Sequence, residues 1–228
     1  MIVHNLKSVR DRITTACIAA GREPSSVRLL AVSKTFDSGA VRDAMSDGQR
    51  CFGENYIAEG VEKIITLKAH TDLEWHCIGP VQSNKTRLVA EHFDWIQSVD
   101  RLKIAQRLSE QRPAFLKPLQ VCIQVNMDGG ANKSGVAPDV LMALIKDVVQ
   151  LPNLQLRGLM TIPEPAINFE AACAIHTMAR ALFDKINAEA LLPQPMDTLS
   201  MGMTADLEAA IASGSTMVRV GSAIFGQR

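Results

Sequence analysis

Eight short β-prone stretches, alternating with helical patterns along 228 residues, constrain this chain more than any other feature. They are VRLLAVS (27–33), RCFG (50–53), EWHCIG (74–79), DWIQSV (94–99), LQVCIQVN (119–126), LQLRGLM (154–160), DTLSM (197–201) and MVRVG (217–221). Between them lie helix-period segments such as NYIAEGVEKIITLKA, RLKIAQRLSEQ, PDVLMALIKDVVQ and FEAACAIHTMARALFDKINAEA. Strands that alternate with helices pair in parallel, because the helix supplies the crossover that a tight hairpin cannot. Eight such units without a Pro/Gly-rich linker predict an α/β fold, a single (β/α)8 TIM barrel forming one domain over residues 1–228. The runner-up is an open doubly wound sheet, disfavoured because no G-x-G-x-x-G follows the first strand. Ahead of the barrel, Ile2, Leu6, Val9, Ile13, Ala16, Cys17 and Ala20 recur at three- and four-residue steps. That spacing predicts an extra N-terminal helix closed by Gly21.

Charge and apolar content exclude several partners. Lysine plus arginine and aspartate plus glutamate balance at 24 each, so nothing favours nucleic acid or an anionic membrane surface. No run reaches the roughly 18 apolar residues of a membrane helix. The start, MIVHNLKSVRDRITTA, is amphipathic and unlike a signal peptide, so a cytoplasmic location and a monomer are expected. The cysteines at 17, 51, 77, 122 and 173 lack C-x-x-C spacing and are expected to be reduced and mostly buried. The histidines at 4, 70, 76, 92 and 176 show no ligand spacing, so no metal site is expected.

In such a barrel the active face lies at the C-terminal ends of the strands. Ser33-Lys34, GEN (53–55), WHCIG, NMDGGANKSG, SMGM (200–203) and RVGSAIFG would then bring a lysine, an asparagine, a histidine and an arginine to one mouth. The loops after strands seven and eight suit a phosphate, with Ser200, Gly221 and Ser222 offering hydroxyls and a close backbone approach. The same residues also suit plain tight turns. Lys34 by itself reads either as a solvated or ion-paired side chain or as a nucleophile. In a barrel mouth across from Arg219 its ammonium form is disfavoured by desolvation and like charge, and a neutral amine attacks aldehydes. An aldehyde carrying a phosphate fits both halves, and pyridoxal 5′-phosphate is that molecule.

Together LLAVSKTF, FGENY, WHCIGPVQSNK, NKSG, GLMTI, LSMGMTADLEAAI and GSTMVRVGSAIFG resemble the pyridoxal phosphate homeostasis proteins, from about residue 5 to the last residue. That family looks like the barrel half of alanine racemase standing alone. The resemblance implies that Lys34 forms the Schiff base, that Ser200, Gly221 and Ser222 hold the phosphate, that Arg219 faces the pyridine nitrogen and that Asn55 lies beside the cofactor. The chain stops at FGQR where some relatives continue with further, often basic residues, so no role for such a tail is expected.

NKSG is not a nucleotide-binding P-loop, since Asn132 and Met127 stand where that motif needs glycines. Lys133 is expected at the rim as a second amine, and Lys85 as a solvated charge at a helix start. An arginine at the pyridine nitrogen leaves the ring a weak electron sink. Racemases of this fold, by resemblance, add a tyrosine from a second domain, whereas this chain ends with the barrel and has one tyrosine, Tyr56. A proton donor and a packed aromatic are the two readings of Tyr56. The expectation is a non-catalytic carrier that maintains intracellular pyridoxal phosphate and passes it to apo-enzymes. The alternative is a cryptic amino-acid racemase or lyase.

Overall fold

In the computed structural model, which describes residues 1–129, 134–189 and 192–226, strand and helix alternate as the apolar periods require. The strands are β1 (Arg28–Val32), β2 (Cys51–Glu54), β3 (Glu74–Cys77), β4 (Trp95–Val99), β5 (Leu119–Val125), β6 (Leu154–Thr161), β7 (Thr198–Ser200) and β8 (Met217–Val220). Each pairs in parallel with the next, and β1 pairs with β8 through Arg28–Met217 to Ala31–Val220, which closes the barrel. The crossovers are α2 (Ser38–Ser46), α3 (Ile57–Thr66), α4 (Thr86–His92), α5 (Leu102–Gln111), α6 (Leu141–Val148), α7 (Phe169–Ala188) and α8 (Leu207–Ala212). A short α9 (Ser222–Phe225) follows β8. Observed strand ends differ from the sequence reading by one or two residues, because β prone side chains run on into the loops.

The N-terminal helix is α1 (Ile2–Ala19). Its end is a Schellman turn: Gly21 has φ +66°, its N–H bonds Ile18 O, and the Arg22 N–H bonds Cys17 O. Asn5 Nδ2 donates to Ile224 O at 3.0 Å and Arg12 pairs with Glu208 at 2.8 Å, so α1 is fastened to α8 and α9 behind the β8 end of the barrel. No helix among the described residues is long and apolar enough to cross a membrane.

The main core lies between strands and helices, where Leu6, Val41, Phe52, Val89, Ile104, Ile123 and Val218 are buried together. Inside the barrel the apolar material forms two small separate clusters, Leu30, Val32, Ile78 and Met217, and Trp95, Cys122 and Met160. The alternation of strand side chains puts Leu30 and Val32 inward and Ala31 outward. By the same parity the inward positions elsewhere carry His76, Gln97, Ser200 and Arg219, all buried. The interior is therefore a polar column between apolar patches. All five cysteines are free; Cys17, Cys77 and Cys122 are buried, and burial pushes the thiols of Cys77 and Cys122 up to about 12.

Candidate functional site

Neighbouring strands of the closed ring bring the singled-out residues together. Ser200 ends β7, Arg219 lies in β8 with Gly221 and Ser222 just after it, Lys34 follows β1 and Asn55 follows β2. These four strands are consecutive around the barrel, β7-β8-β1-β2. Lys34 and Arg219 therefore belong to adjacent strands, since β1 and β8 are hydrogen-bonded neighbours, with Arg219 paired to Leu30 and Lys34 just beyond the end of β1. Lys34 stands half-buried in the turn that follows β1, where the Phe36 N–H bonds Ser33 O.

Two glycines let the backbone close around this quarter of the mouth. A Cβ on Gly221 would stand 3.2 Å from Val32 O, so the turn after β8 lies against the strand end that leads to Lys34. Gly202 has φ +94°, and a Cβ there would meet Ala210 Cβ at 2.4 Å; its carbonyl accepts the Arg219 N–H at 3.0 Å. The loop after β7 is further held by Asp206, whose carboxylate accepts the Met203 N–H at 2.6 Å and bonds His176 Nε2 at 2.9 Å. Burial pushes the Asp206 carboxyl up, but these bonds outweigh it and leave the group below its ordinary value.

Arg219 is buried and held by neutral oxygens. Nη1 donates to Ser200 Oγ at 2.7 Å and Nη2 to Thr161 O at 2.8 Å, and among the described residues no carboxylate lies within ion-pair distance. Burial lowers its pKa to about 10, so it stays charged at neutral pH. Ser200 Oγ in turn donates to Gln97 Oε1 at 2.6 Å. Ser200 Oγ thus bonds both Arg219 and Gln97. Gln97 Nε2 meets His76 Nδ1 at 2.9 Å and His76 Nε2 meets Glu74 Oε1 at 2.8 Å, with Trp95 stacked on the imidazole at 5.0 Å. Every donor can point the same way, from Arg219 through Ser200, Gln97 and His76 to Glu74, when the imidazole proton sits on Nε2.

This column corrects one expectation and shows one cluster that spacing did not reveal. The histidine of strand three was placed at the mouth, but His76 is fully buried within β3 and turned toward Glu74 at the strand's start. Histidine and cysteine spacing gave no metal site, yet Cys51, Glu74 and His76 bring ligand atoms within 4.8 Å of one another. The Arg28 guanidinium already serves that cluster as its cation, donating to Glu74 at 2.6 Å and to Cys51 Sγ at 2.9 Å. Gln97, His76 and the Thr161 carbonyl were not singled out as support for Arg219. The available signal was a lone polar residue at an inward position of the apolar strands WHC and WIQSV.

Acid stability follows from this column. Burial holds the His76 imidazole below its ordinary 6.5, although Glu74 opposes the shift, and Glu74 is pulled down from 4.5 to about 2 by His76 and Arg28 against its own burial. Both folded-state pKa values lie below the unfolded ones, so both contributions are present above the unfolded values and are lost as pH falls. Melting temperature is expected to fall on acidification through pH 6.5 and again from 4.5 toward 2. In His76→Gln the upper limb should be missing when thermal melts are taken across this range. An unchanged upper limb would assign it to another group.

The remaining residues are placed as follows. Asn55 is half-buried, and its carbonyl lies so close to Gly79 that a Cβ there would stand 2.1 Å from it. Tyr56 is exposed at the start of α3, which makes it no packed aromatic. Lys85 is exposed at the start of α4, and Lys133 lies outside the described residues.

Comparison with known proteins places the whole chain in one family. The model of the alanine racemase N-terminal domain family matches residues 2–228. The pyridoxal phosphate homeostasis protein of Pseudomonas aeruginosa is 56% identical over 227 residues, covering 100% of this chain and 96% of the relative. Its counterpart in Escherichia coli is 51% identical over 229 residues, covering 100% and 97%. The structure of PipY from Synechococcus elongatus with pyridoxal phosphate bound superposes with a TM-score of 0.86 at 36% identity, over 99% of this chain and 100% of that one. Alanine racemase of Clostridium difficile, at 16% identity and a TM-score of 0.75, shares the fold over 57% of its own length.

Proposed function

This chain belongs to the pyridoxal phosphate homeostasis protein family, and from that membership we propose that it holds pyridoxal 5′-phosphate at the β7-β8-β1-β2 side of its barrel mouth. Arg219 carries the reading. A buried cation bonded only to a hydroxyl and a carbonyl is costly, and an electron-rich, anionic ligand against its free N–H groups offsets that cost. The donor set fits the group: an amine for the aldehyde at Lys34, a guanidinium for the ring nitrogen, and a close-approach turn with a hydroxyl at Gly221–Ser222 for the phosphate. When bound, the cofactor supplies an aldehyde and an electron-withdrawing ring.

The residues divide the work. Lys34 would offer its Nζ to the aldehyde of the cofactor. Arg219 would hold the ring nitrogen as a hydrogen-bond donor and, being a donor only, would not favour its protonation. Ser200 holds Arg219 in place, accepting from its Nη1 and donating a hydrogen bond to Gln97 Oε1. Asn55 borders the ring. With the ring a weak electron sink, the protein is a carrier that keeps the free aldehyde low and hands it to apo-enzymes, acting as a monomer in the cytoplasm.

Titration of purified protein with pyridoxal phosphate tests the reading: one equivalent should be taken up per chain, with a new band in the near ultraviolet or visible. A spectrum identical to that of free cofactor at saturating protein would overturn it. Ser222→Ala is expected to weaken binding by about 1–3 kcal/mol, the range for a hydrogen bond to a charged partner, without blocking capture at saturation. Equal affinity of the wild type for pyridoxal and for its phosphate would remove the anion from the Gly221–Ser222 turn.

A further inference from the structure

Immediately after Lys34 the backbone enters a conformation that its residue disfavours. Thr35 has φ +65°, in the left-handed region where a β-branched side chain is an outlier, and such strain persists only where surrounding groups over-determine it. The surrounding groups are three charged side chains of β2 and α3. Glu59, in the first turn of α3, accepts the Thr35 N–H on Oε1. Lys63, one turn further and buried, donates from Nζ to Ser33 O at 2.7 Å, to Glu54 Oε1 at 2.8 Å and to Glu59 Oε1 at 2.6 Å. Glu54 Oε1 also accepts from Ser33 Oγ at 2.6 Å. The two peptide groups that flank the Lys34 Cα are thereby both gripped, one by its carbonyl and one by its N–H.

We propose that Glu54, Glu59 and Lys63 are positioning residues that aim Lys34 at the aldehyde of its ligand, a role that rests on the covalent reading of Lys34 above. A lysine stem has four rotatable bonds, so directing its amine begins with a Cα whose orientation does not wander. Stability alone is a poor account of this cluster. Buried ion pairs can often be replaced by apolar groups without loss, and here Glu54 Oε2 is buried with no hydrogen-bond partner among the described residues. Lys63 and Glu59 hold the backbone on the two sides of Lys34, and Glu54 braces them through Lys63 and the Ser33 hydroxyl, so the cluster is built around the residue that carries the nucleophile.

The test compares an aldehyde ligand with its alcohol. Pyridoxine phosphate keeps the ring and the phosphate but has no aldehyde, so it reads the rest of the site without Lys34 chemistry. Glu59→Ala is expected to weaken pyridoxal phosphate about tenfold, equivalent to about 1.4 kcal/mol, and to leave pyridoxine phosphate within about twofold. Glu59→Gln retains an oxygen acceptor and should bind both ligands like the wild type. Adding Thr35→Gly to Glu59→Ala should recover part of the loss, since glycine adopts a positive φ without strain. Equal weakening of both ligands by Glu59→Ala, at unchanged melting temperature, would reduce the cluster to a structural part and overturn the proposal. Unchanged affinity for the aldehyde would do the same. Borohydride trapping of the wild type on a lysine other than Lys34 removes the premise, and it is read separately from the variants.

Discussion

Replacing Lys34 by alanine is expected to abolish the borohydride-reducible adduct of pyridoxal phosphate entirely, while the barrel stays folded. The side chain is half-buried and belongs to none of the apolar clusters, so its truncation should change stability by no more than about 0.5 kcal/mol. Loss of covalent capture is a matter of chemistry, since an alanine has no amine. The turn at Gly221–Ser222 and Arg219 remain in the variant, so non-covalent binding should persist at reduced affinity. Peptide mass analysis after reduction should find the wild-type adduct on Lys34. An adduct on Lys85 or Lys133 in the wild type, or an undiminished adduct in Lys34→Ala, would show that the strand-one lysine is not the nucleophile.

Arg219→Glu is expected to turn a poor carbanion stabiliser into a better one. In the wild type the guanidinium can donate to the ring nitrogen but cannot protonate it, and each pKa unit by which a carboxylate raised that nitrogen would increase the protonated fraction about tenfold. With loaded wild type, α-protons of added amino acids should exchange no faster than with free cofactor, and Arg219→Glu should accelerate exchange about tenfold or more. The substitution has a cost in binding, about 1.5–3 kcal/mol for a lost charged hydrogen bond. It also sets a carboxylate against Thr161 O, which now accepts from Arg219. Deuterium incorporation in heavy water, followed by NMR at saturating cofactor, measures both proteins. Rapid exchange by the wild type would establish the racemase or lyase alternative in place of the carrier.

Much of the fold was legible because its signal is local. The eight strands are short, apolar and separated by amphipathic helices, so period alone distinguished them, and even the four-residue β2 could be placed from its neighbours. Polarity at the strand ends pointed to the mouth for the same reason: a lysine after VRLLAV or an arginine inside MVRV breaks an apolar run. Position along a strand was read less well. His76 was expected at the rim and lies within the barrel, because burial of an imidazole is decided by whether a partner such as Glu74 can reach it.

The sequence by itself determined the alternation of elements, the extra first helix and the family, since each depends on residues within a few positions of one another or on motif order, and its eight units favoured a closed ring over an open sheet. Only the tertiary structure decided which distant polar groups meet. Ser200 and Gln97 are 103 positions apart, and Lys63 reaches Ser33 across 30. Their pairing depends on strand register and on which side of each strand faces inward, and a one-residue change in register would send every one of those side chains to the opposite face. Parallel closure of β8 on β1 set the strand of Arg219 next to the strand that leads to Lys34, and the packing of α3 on β2 brought Glu59 and Lys63 under the backbone that carries that lysine.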